Sequence, residues 1–470
     1  MTRPPPRTEL AADADSPTRR SRTLVAVALL LVGANLRPAI VSISPLLPEI
    51  RRSTGLSPTL AGLLTTLPVA CFGAFAFLTP RLTGRLGRER LVVAVLAVLA
   101  VGICVRILPG RSALFAGTTL AGAAIAVGNV VLPGIIKRDF PRQVALMTGL
   151  YATALTAGAA IAAGVTVPLE DASGLGWRGV LALWAVPVGA ALVLALPLVR
   201  AADRRAPEPP PPPDLRGMWR DRVAIAVTAY MGMQSMVFYA SVAWLPSLFR
   251  SHGVNPGAAG WLVSYTGFVS IPAALATPFM GRRMRSEAPL VAMSAVLGVL
   301  GVLALLVDAR GLAVESMTAL GLGSGTSLSL ALGFIAQRGR DAHRVGQLSM
   351  LAQGGGYVLA ALGPLAVGAL HQLTGGWTAP LVTLVALLCF EVVVGIAAAR
   401  DRFVSSTRVE AVAGSARVAT RRGTARSGRD AAERHRCGPR HAPSGCRWVP
   451  RTSPGRRDRF RGPTAPPEGT

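Results

Sequence analysis

The residues best placed to do chemistry in this chain are polar groups set inside long apolar runs. Foremost is Arg37, in the string Asn35-Leu-Arg-Pro-Ala-Ile40. If the first apolar helix begins near Thr23 and rises ~1.5 Å per residue, the guanidinium is attached ~21 Å into a hydrocarbon layer ~30 Å thick. A charge at that depth costs at least ~2.5–3.5 kcal/mol, so it faces a protein interior or a water-filled path. Pro38, Pro45 and Pro48 loosen the backbone beside it. A permanent cation with a planar fork of donors suits a small anion or a strongly dipolar solute. The alternative is a structural ion pair or a contact to a neighbouring carbonyl. Seven of the other apolar runs hold no acidic residue at mid-span, so substrate is the expected counter-charge.

The other candidates are uncharged. Asn35 lies two residues from Arg37, on a different face unless Pro38 distorts the turn. Asn129 precedes Pro133 by one turn and either meets substrate or joins two helices, a bond worth ~0.6 kcal/mol. Gln234 and Tyr239 recur at roughly helical spacing, with Trp244 placed as either a cavity group or an interfacial anchor. Gln353 and Tyr357 are four residues apart and share a face across Gly354-Gly-Gly356. That triple glycine reads as a flexible gate or as close helix packing. Glu391 is the one acidic residue well inside an apolar run; its neighbours Phe390 and Val392 suit lipid, which favours a structural role. No nucleophile–base pair, phosphate loop or ATP site is present, so no enzymatic activity and no cofactor are expected. Cys437 and Cys446 with His435 and His441 match no zinc spacing, and no metal is expected.

The surrounding sequence shows what must position these groups. Of 470 residues, 51% are hydrophobic and only 15% charged, and mean hydropathy is +0.47. Apolar blocks of about twenty residues alternate with short Arg-, Gly- and Pro-rich pieces, the pattern of an all-α multi-pass membrane protein. Twelve spans are predicted near 23–48, 58–80, 90–108, 111–136, 143–168, 178–199, 222–248, 258–280, 288–307, 311–336, 344–370 and 377–399. Arginines crowd alternate loops (Arg81 to Arg90, Arg138 and Arg142, Arg282 to Arg285, Arg338 to Arg344), which places that side and both termini in the cytoplasm. The opposite loops are expected to hold Arg51, Arg52, Arg106, Arg111, Arg178, Arg250 and Arg310.

The expected organisation is a disordered N-terminus over 1–22, a six-helix bundle over 23–199, and a Pro-rich cytoplasmic linker over 200–221. A second six-helix bundle over 222–400 and a disordered Arg/Pro-rich tail over 401–470 follow. The net charge of +26 is concentrated in the loops and in that tail, which has sixteen arginines against six acidic residues; nucleic-acid binding is not expected. The halves repeat at an offset near 200 residues. Trp177 corresponds to Trp377, Asn35 to Gln234, and Leu146-Met-Thr-Gly-Leu-Tyr-Ala-Thr to Leu348-Ser-Met-Leu-Ala-Gln-Gly-Gly.

Duplicated six-span halves resemble the major facilitator superfamily over residues ~20–400. That family's cytoplasmic signature is Gly-x-x-x-Asp-Arg-x-Gly-Arg-Arg/Lys, and here the loop reads Pro80-Arg-Leu-Thr-Gly-Arg-Leu-Gly-Arg-Glu-Arg90. Arg85, Gly87 and Arg88 match and are the implied cytoplasmic gate, but Gly84 replaces the acidic residue. Four strings resemble the branch of cyanate transporters and nitroimidazole exporters. They are Asn35-Leu-Arg-Pro-Ala-Ile40, Gly128-Asn-Val-Val-Leu-Pro-Gly134, Ala243-Trp-Leu-Pro246 and Ala352-Gln-Gly-Gly-Gly-Tyr357. The resemblance implies a monomeric secondary transporter of the cytoplasmic membrane, contacting lipid and a small anionic or polar solute. Cyanate-like uptake leads; efflux of small nitro-aromatic or drug-like compounds is the alternative, and a non-transporting sensor or scaffold the alternative of another class.

Overall fold

Prolines decide where the spans of this protein bend. A proline cannot donate to the carbonyl four residues earlier, so a helix opens there. Pro38 frees the carbonyl of Ala34, Pro80 that of Ala76, Pro187 that of Leu183 and Pro364 that of Ala360. At each of these places one apolar run is cut into shorter helices. In the computed structural model, which describes residues 19–202, 217–400 and 402–404, the described residues form helices and turns, with no strand among them.

The N-terminal half runs α1 (Arg19–Asn35), α2 (Pro38–Val41), α3 (Ile43–Thr54), α4 (Pro58–Ala76), α5 (Thr79–Leu86), α6 (Arg88–Arg106), α7 (Arg111–Asp139), α8 (Val144–Ser173), α9 (Gly176–Leu183) and α10 (Ala185–Ala202). The C-terminal half runs α11 (Arg222–Ser251), α12 (Pro256–Gly281), α13 (Ala288–Asp308), α14 (Ala313–Arg338), α15 (Ala342–Ala360), α16 (Leu362–Thr374) and α17 (Thr378–Ala399). Among the described residues ten helical stretches are long and apolar enough to cross a membrane, or eleven if α4 and α5, bent by 59°, make one span. The twelfth expected span is α6, which that count leaves out: its 19 residues carry Arg88, Glu89, Arg90 and Arg106. Most of the expected N-terminus, linker and tail lies outside the described residues, but 19–22, expected to be disordered, belong to α1.

Small residues let the helices touch. A Cβ on Gly102 would sit 2.9 Å from the carbonyl of Gly117, which locks α6 to α7. In the other half a Cβ on Gly301 would sit 2.9 Å from the carbonyl of Ser316, which locks α13 to α14 in the same way. Gly158 of α8 lies directly on the carbonyl of Ala34, the one Pro38 leaves unpaired. The halves meet where Gly149 abuts Pro278, Gly354 abuts Phe77 and Gly73 abuts Val358. The most enclosed spans are α7 and α14.

The duplication is also written in hydrogen bonds. Trp177 Nε1 donates to Ser53 Oγ at 2.8 Å, and Trp377 Nε1 donates to Ser251 Oγ at 2.8 Å. Arg138 pairs with Glu89 at 2.6 Å, and Arg338 pairs with Glu287 at 2.9 Å. Each pair ties the start of one helix to the end of another, at matching places in the two halves.

Candidate functional site

Arg37 stands at the break between α1 and α2, in the turn that precedes Pro38. Its side chain is 9% exposed, and Nε has no hydrogen-bond partner. No carboxylate forms an ion pair with it among the described residues. Hydroxyls and rings surround it instead. The guanidinium meets the Tyr357 hydroxyl in a hydrogen-bonding contact and faces Tyr239 and Tyr151. Its Cζ lies 5.9 Å from the centre of the Phe238 ring, within cation–π range. The rings also touch each other: Phe238 to Tyr239 at 5.3 Å, Tyr239 to Tyr357 at 6.3 Å and Phe72 to Tyr357 at 4.9 Å between centroids. A cation held by neutral dipoles and ring faces keeps its charge available, because none of these groups cancels it.

A second group of polar residues forms around Asn129 in α7. Tyr151 Oη donates to Asn129 Oδ1 at 3.1 Å, and Gln353 Nε2 donates to the Asn129 carbonyl at 2.6 Å and to Ser349 Oγ at 3.0 Å. Tyr151 and Gln353 occupy equivalent places in the two repeats, so both halves converge on one asparagine. The Asn129 Nδ2 group is buried and has no partner. An unmade buried bond costs ~1–3 kcal/mol, which marks this amide as available to a ligand or to another state of the protein.

Of the residues singled out from the sequence, the structure brings Arg37, Tyr239, Tyr357, Asn129 and Gln353 into this arrangement, bridged by Tyr151. Asn35 and Gln234 spend their amide donors on their own helices: Asn35 Nδ2 on the Leu31 carbonyl at 2.8 Å, Gln234 Nε2 on Ser235 Oγ at 2.6 Å. Tyr151, Phe238 and Phe72 were not singled out. Tyr151 was legible as the repeat partner of Gln353; the two phenylalanines gave no sign, because apolar spans are full of such residues. The triple glycine serves packing: Gly354 lies on Phe77, Gly355 on Thr228 and Gly356 on Gly232.

One expectation is corrected, and two further residues gain partners. Arg106 is not a loop residue. It ends α6 fully buried and donates from Nη1 to the Ala39 carbonyl, just beyond the break that carries Arg37. Trp244, open between cavity group and interfacial anchor in the sequence, donates from Nε1 to the Pro364 carbonyl at 2.8 Å, and its ring joins His371 and Trp377. Glu391, for which the sequence favours a structural role, is 2% exposed where its neighbour Phe390 is 53% exposed, and Ser327 Oγ donates to its Oε1 at 2.7 Å.

At the Arg-rich end, Gly87 takes a left-handed φ of 77° between α5 and α6, and Arg85 lies in the last turn of α5. Gly84 leaves the expected acidic place empty, but carboxylates come from elsewhere. Glu89 pairs with Arg138, while Lys137 and Arg88 lie near Asp341 and His343 of the opposite half. Asp341 also caps α15 by accepting from the Arg344 amide at 2.8 Å.

Residues 24–364 match the family model described as "Major Facilitator Superfamily". The chain is 34% identical to the 2-nitroimidazole transporter of Escherichia coli (strain K12) over 82% of its own length and 97% of that protein. It is 30% identical to the cyanate transport protein CynX of the same organism, over 74% of its own length and 90% of that protein. Among solved structures, the proton:xylose symporter XylE bound to 6-bromo-6-deoxy-D-glucose superposes with a TM-score of 0.64 at 12% identity, covering 80% of this chain and 94% of that one.

Proposed function

Since the chain belongs to the major facilitator superfamily, we propose that it is a secondary transporter of the cytoplasmic membrane that moves a small anionic or polar solute by alternating access. Both termini lie in the cytoplasm, and the Arg-rich end is the cytoplasmic gate. Arg37 anchors the negative end of the solute, Tyr357 and Tyr239 orient it, and Asn129 supplies a further donor through its free Nδ2. The observation that carries this reading is the buried Arg37 guanidinium, ringed by neutral hydroxyls and aromatic faces with no carboxylate paired to it among the described residues. A relative that transports cyanate supports the anion class.

The ring lining favours a second reading. Phe72, Phe238, Tyr239 and Tyr357 offer faces on which a flat heteroaromatic ring stacks, with its nitro oxygens on the arginine fork. A relative that transports 2-nitroimidazole supports this solute class; in this reading the direction is export.

The test is exchange of labelled cyanate and of labelled 2-nitroimidazole in vesicles carrying the purified protein. The wild type exchanges at least one of them, and Arg37→Ala lowers that rate at least about tenfold, the loss of one charge-assisted hydrogen bond. Arg37→Lys stays near the alanine level, because an ammonium cannot replace a planar two-donor fork. Wild-type rates in both variants would remove Arg37 from the site.

A further inference from the structure

Among the described residues, the one buried carboxyl that the solute site leaves unused is Glu391, in the middle of α17. It is 2% exposed and lies where α17 packs on α11 and α13, with Ser327 of α14 against it. Ser327 Oγ is 2.7 Å from Glu391 Oε1 and 3.1 Å from Ser294 Oγ of α13, and Ser294 Oγ donates to the Val291 carbonyl at 2.9 Å. Beside the two serines, the hydroxyl of Tyr230 in α11 is buried and lies within reach of both Ser327 and Ser294, without a well-aligned hydrogen bond to either.

The hydrogen inventory distinguishes two states. Ser327 has one proton and two acceptors within reach. If Glu391 is ionised, Ser327 gives that proton to the carboxylate, and a full negative charge stays buried against this hydroxyl. If Glu391 holds a proton, it donates to Ser327, Ser327 donates to Ser294 and Ser294 donates to Val291. That chain is complete and carries no buried charge.

Nothing nearby compensates an anion. The remaining charged groups of the packed elements lie far along the helices at ~1.5 Å per residue. On α14, Arg338 and Glu315 are ~16 and ~18 Å from Ser327; on α13, Asp308 is ~21 Å from Ser294. Glu287, ~10 Å from Ser294, is paired with Arg338. Arg222 of α11 is ~12 Å from Tyr230, and His371 of α16 stacks on Trp377, ~21 Å from Glu391 along α17.

We propose that Glu391, with Ser327, Ser294 and Tyr230, is a proton-binding site of the C-terminal half, separate from the solute site and exchanging its proton when α11, α14 and α17 repack during transport. Tyr230 lies one turn from Gln234 on α11 and Ser327 lies on the enclosed α14, so motion of either helix in the transport cycle reaches the site. The proton enters and leaves as H⁺; no other bond changes. The inference does not depend on Arg37 or on the anion reading.

Infrared spectra of the purified full-length protein in lipid test it without any solute. The wild type shows the carbonyl stretch of a protonated carboxyl that persists through neutral pH. Glu391→Gln, close in volume, removes that band, and Ser327→Ala shifts it by removing the hydroxyl it bonds. In vesicles, Glu391→Gln lowers pH-gradient-driven accumulation of cyanate or 2-nitroimidazole at least about tenfold relative to gradient-free exchange of the same probe. An unchanged band in Glu391→Gln, an unshifted band in Ser327→Ala, or accumulation driven by the gradient at the wild-type ratio each overturns the proposal. If neither probe moves in the wild type, the solute reading fails and the infrared result alone decides the proton site.

Discussion

At the scale of single residues, the balance at Arg37 is between burial and use. A guanidinium at this depth costs at least ~2.5–3.5 kcal/mol, and no carboxylate among the described residues offsets it. If its role is to bind solute, an apolar residue of similar length relieves the protein when no solute is present. Arg37→Met therefore raises unfolding stability by ~1–3 kcal/mol, seen as a higher melting temperature in detergent, while abolishing exchange. A lower melting temperature would instead make the arginine structural. Around Asn129 the sign reverses, because partners are already in place. Tyr151→Phe loses one bond, ~0.5–1.5 kcal/mol, and Gln353→Leu leaves the Asn129 carbonyl without its 2.6 Å donor, a loss of ~1–3 kcal/mol. Equal melting temperatures for Gln353→Leu and wild type would show that this bond contributes nothing.

At the scale of elements, the break in the first span is held from two sides. Pro38 frees the Ala34 carbonyl, Gly158 leaves α8 room to lie against it, and Arg106 holds the next turn by the Ala39 carbonyl. Glycine is required at 158 because even one methyl group would strike that backbone carbonyl, whereas Gly189 of α10 has open space around it. Gly158→Ala is expected to destabilise by ~1–3 kcal/mol, as overpacking does. Gly189→Ala is expected to stabilise by ~0.5–1 kcal/mol, because alanine is the better helix residue. Melting temperatures that move the same way for both would refute the close contact between α8 and α1. The breaks themselves were legible, since Pro38, Pro80, Pro187 and Pro364 stand in the sequence; that Arg106 folds back to serve one of them was not. An arginine at the end of an apolar run has the same local pattern whether it faces water or a carbonyl in the next helix.

At the scale of the whole molecule, the Arg-rich end joins the two halves through charge. Asp341 stands near Lys137 of the opposite half and caps α15 through the Arg344 amide. Asparagine keeps the cap and removes the charge. Asp341→Asn is thus expected to loosen this end without melting α15. A cysteine at Gly346, where a Cβ meets nothing within 4 Å, would then react with a soluble maleimide several-fold faster than in the otherwise unchanged protein. Unchanged labelling would place the closing force elsewhere, in contacts such as Gly149 on Pro278.

The sequence by itself determined that this is a multi-pass helical membrane protein of the major facilitator type, and it singled out Arg37 as a charge inside an apolar run. Apolar run length, proline position and the offset repeat of Trp177 and Trp377 are local or periodic properties, and they survive without coordinates. It could also name Tyr357, Gln353 and Asn129 as candidates, because a polar group in an apolar span needs a partner. Only the tertiary structure decided which partners those are. Packing of α7 against α8 and α15 brings Tyr151 and Gln353 to one asparagine. Packing of α17 against α13, with α14 beside it, turns Glu391 away from the lipid that its neighbour Phe390 faces. Those contacts join residues 22, 224 and 64 positions apart. Whether such residues meet depends on how helices cross in space, which neither spacing nor composition encodes.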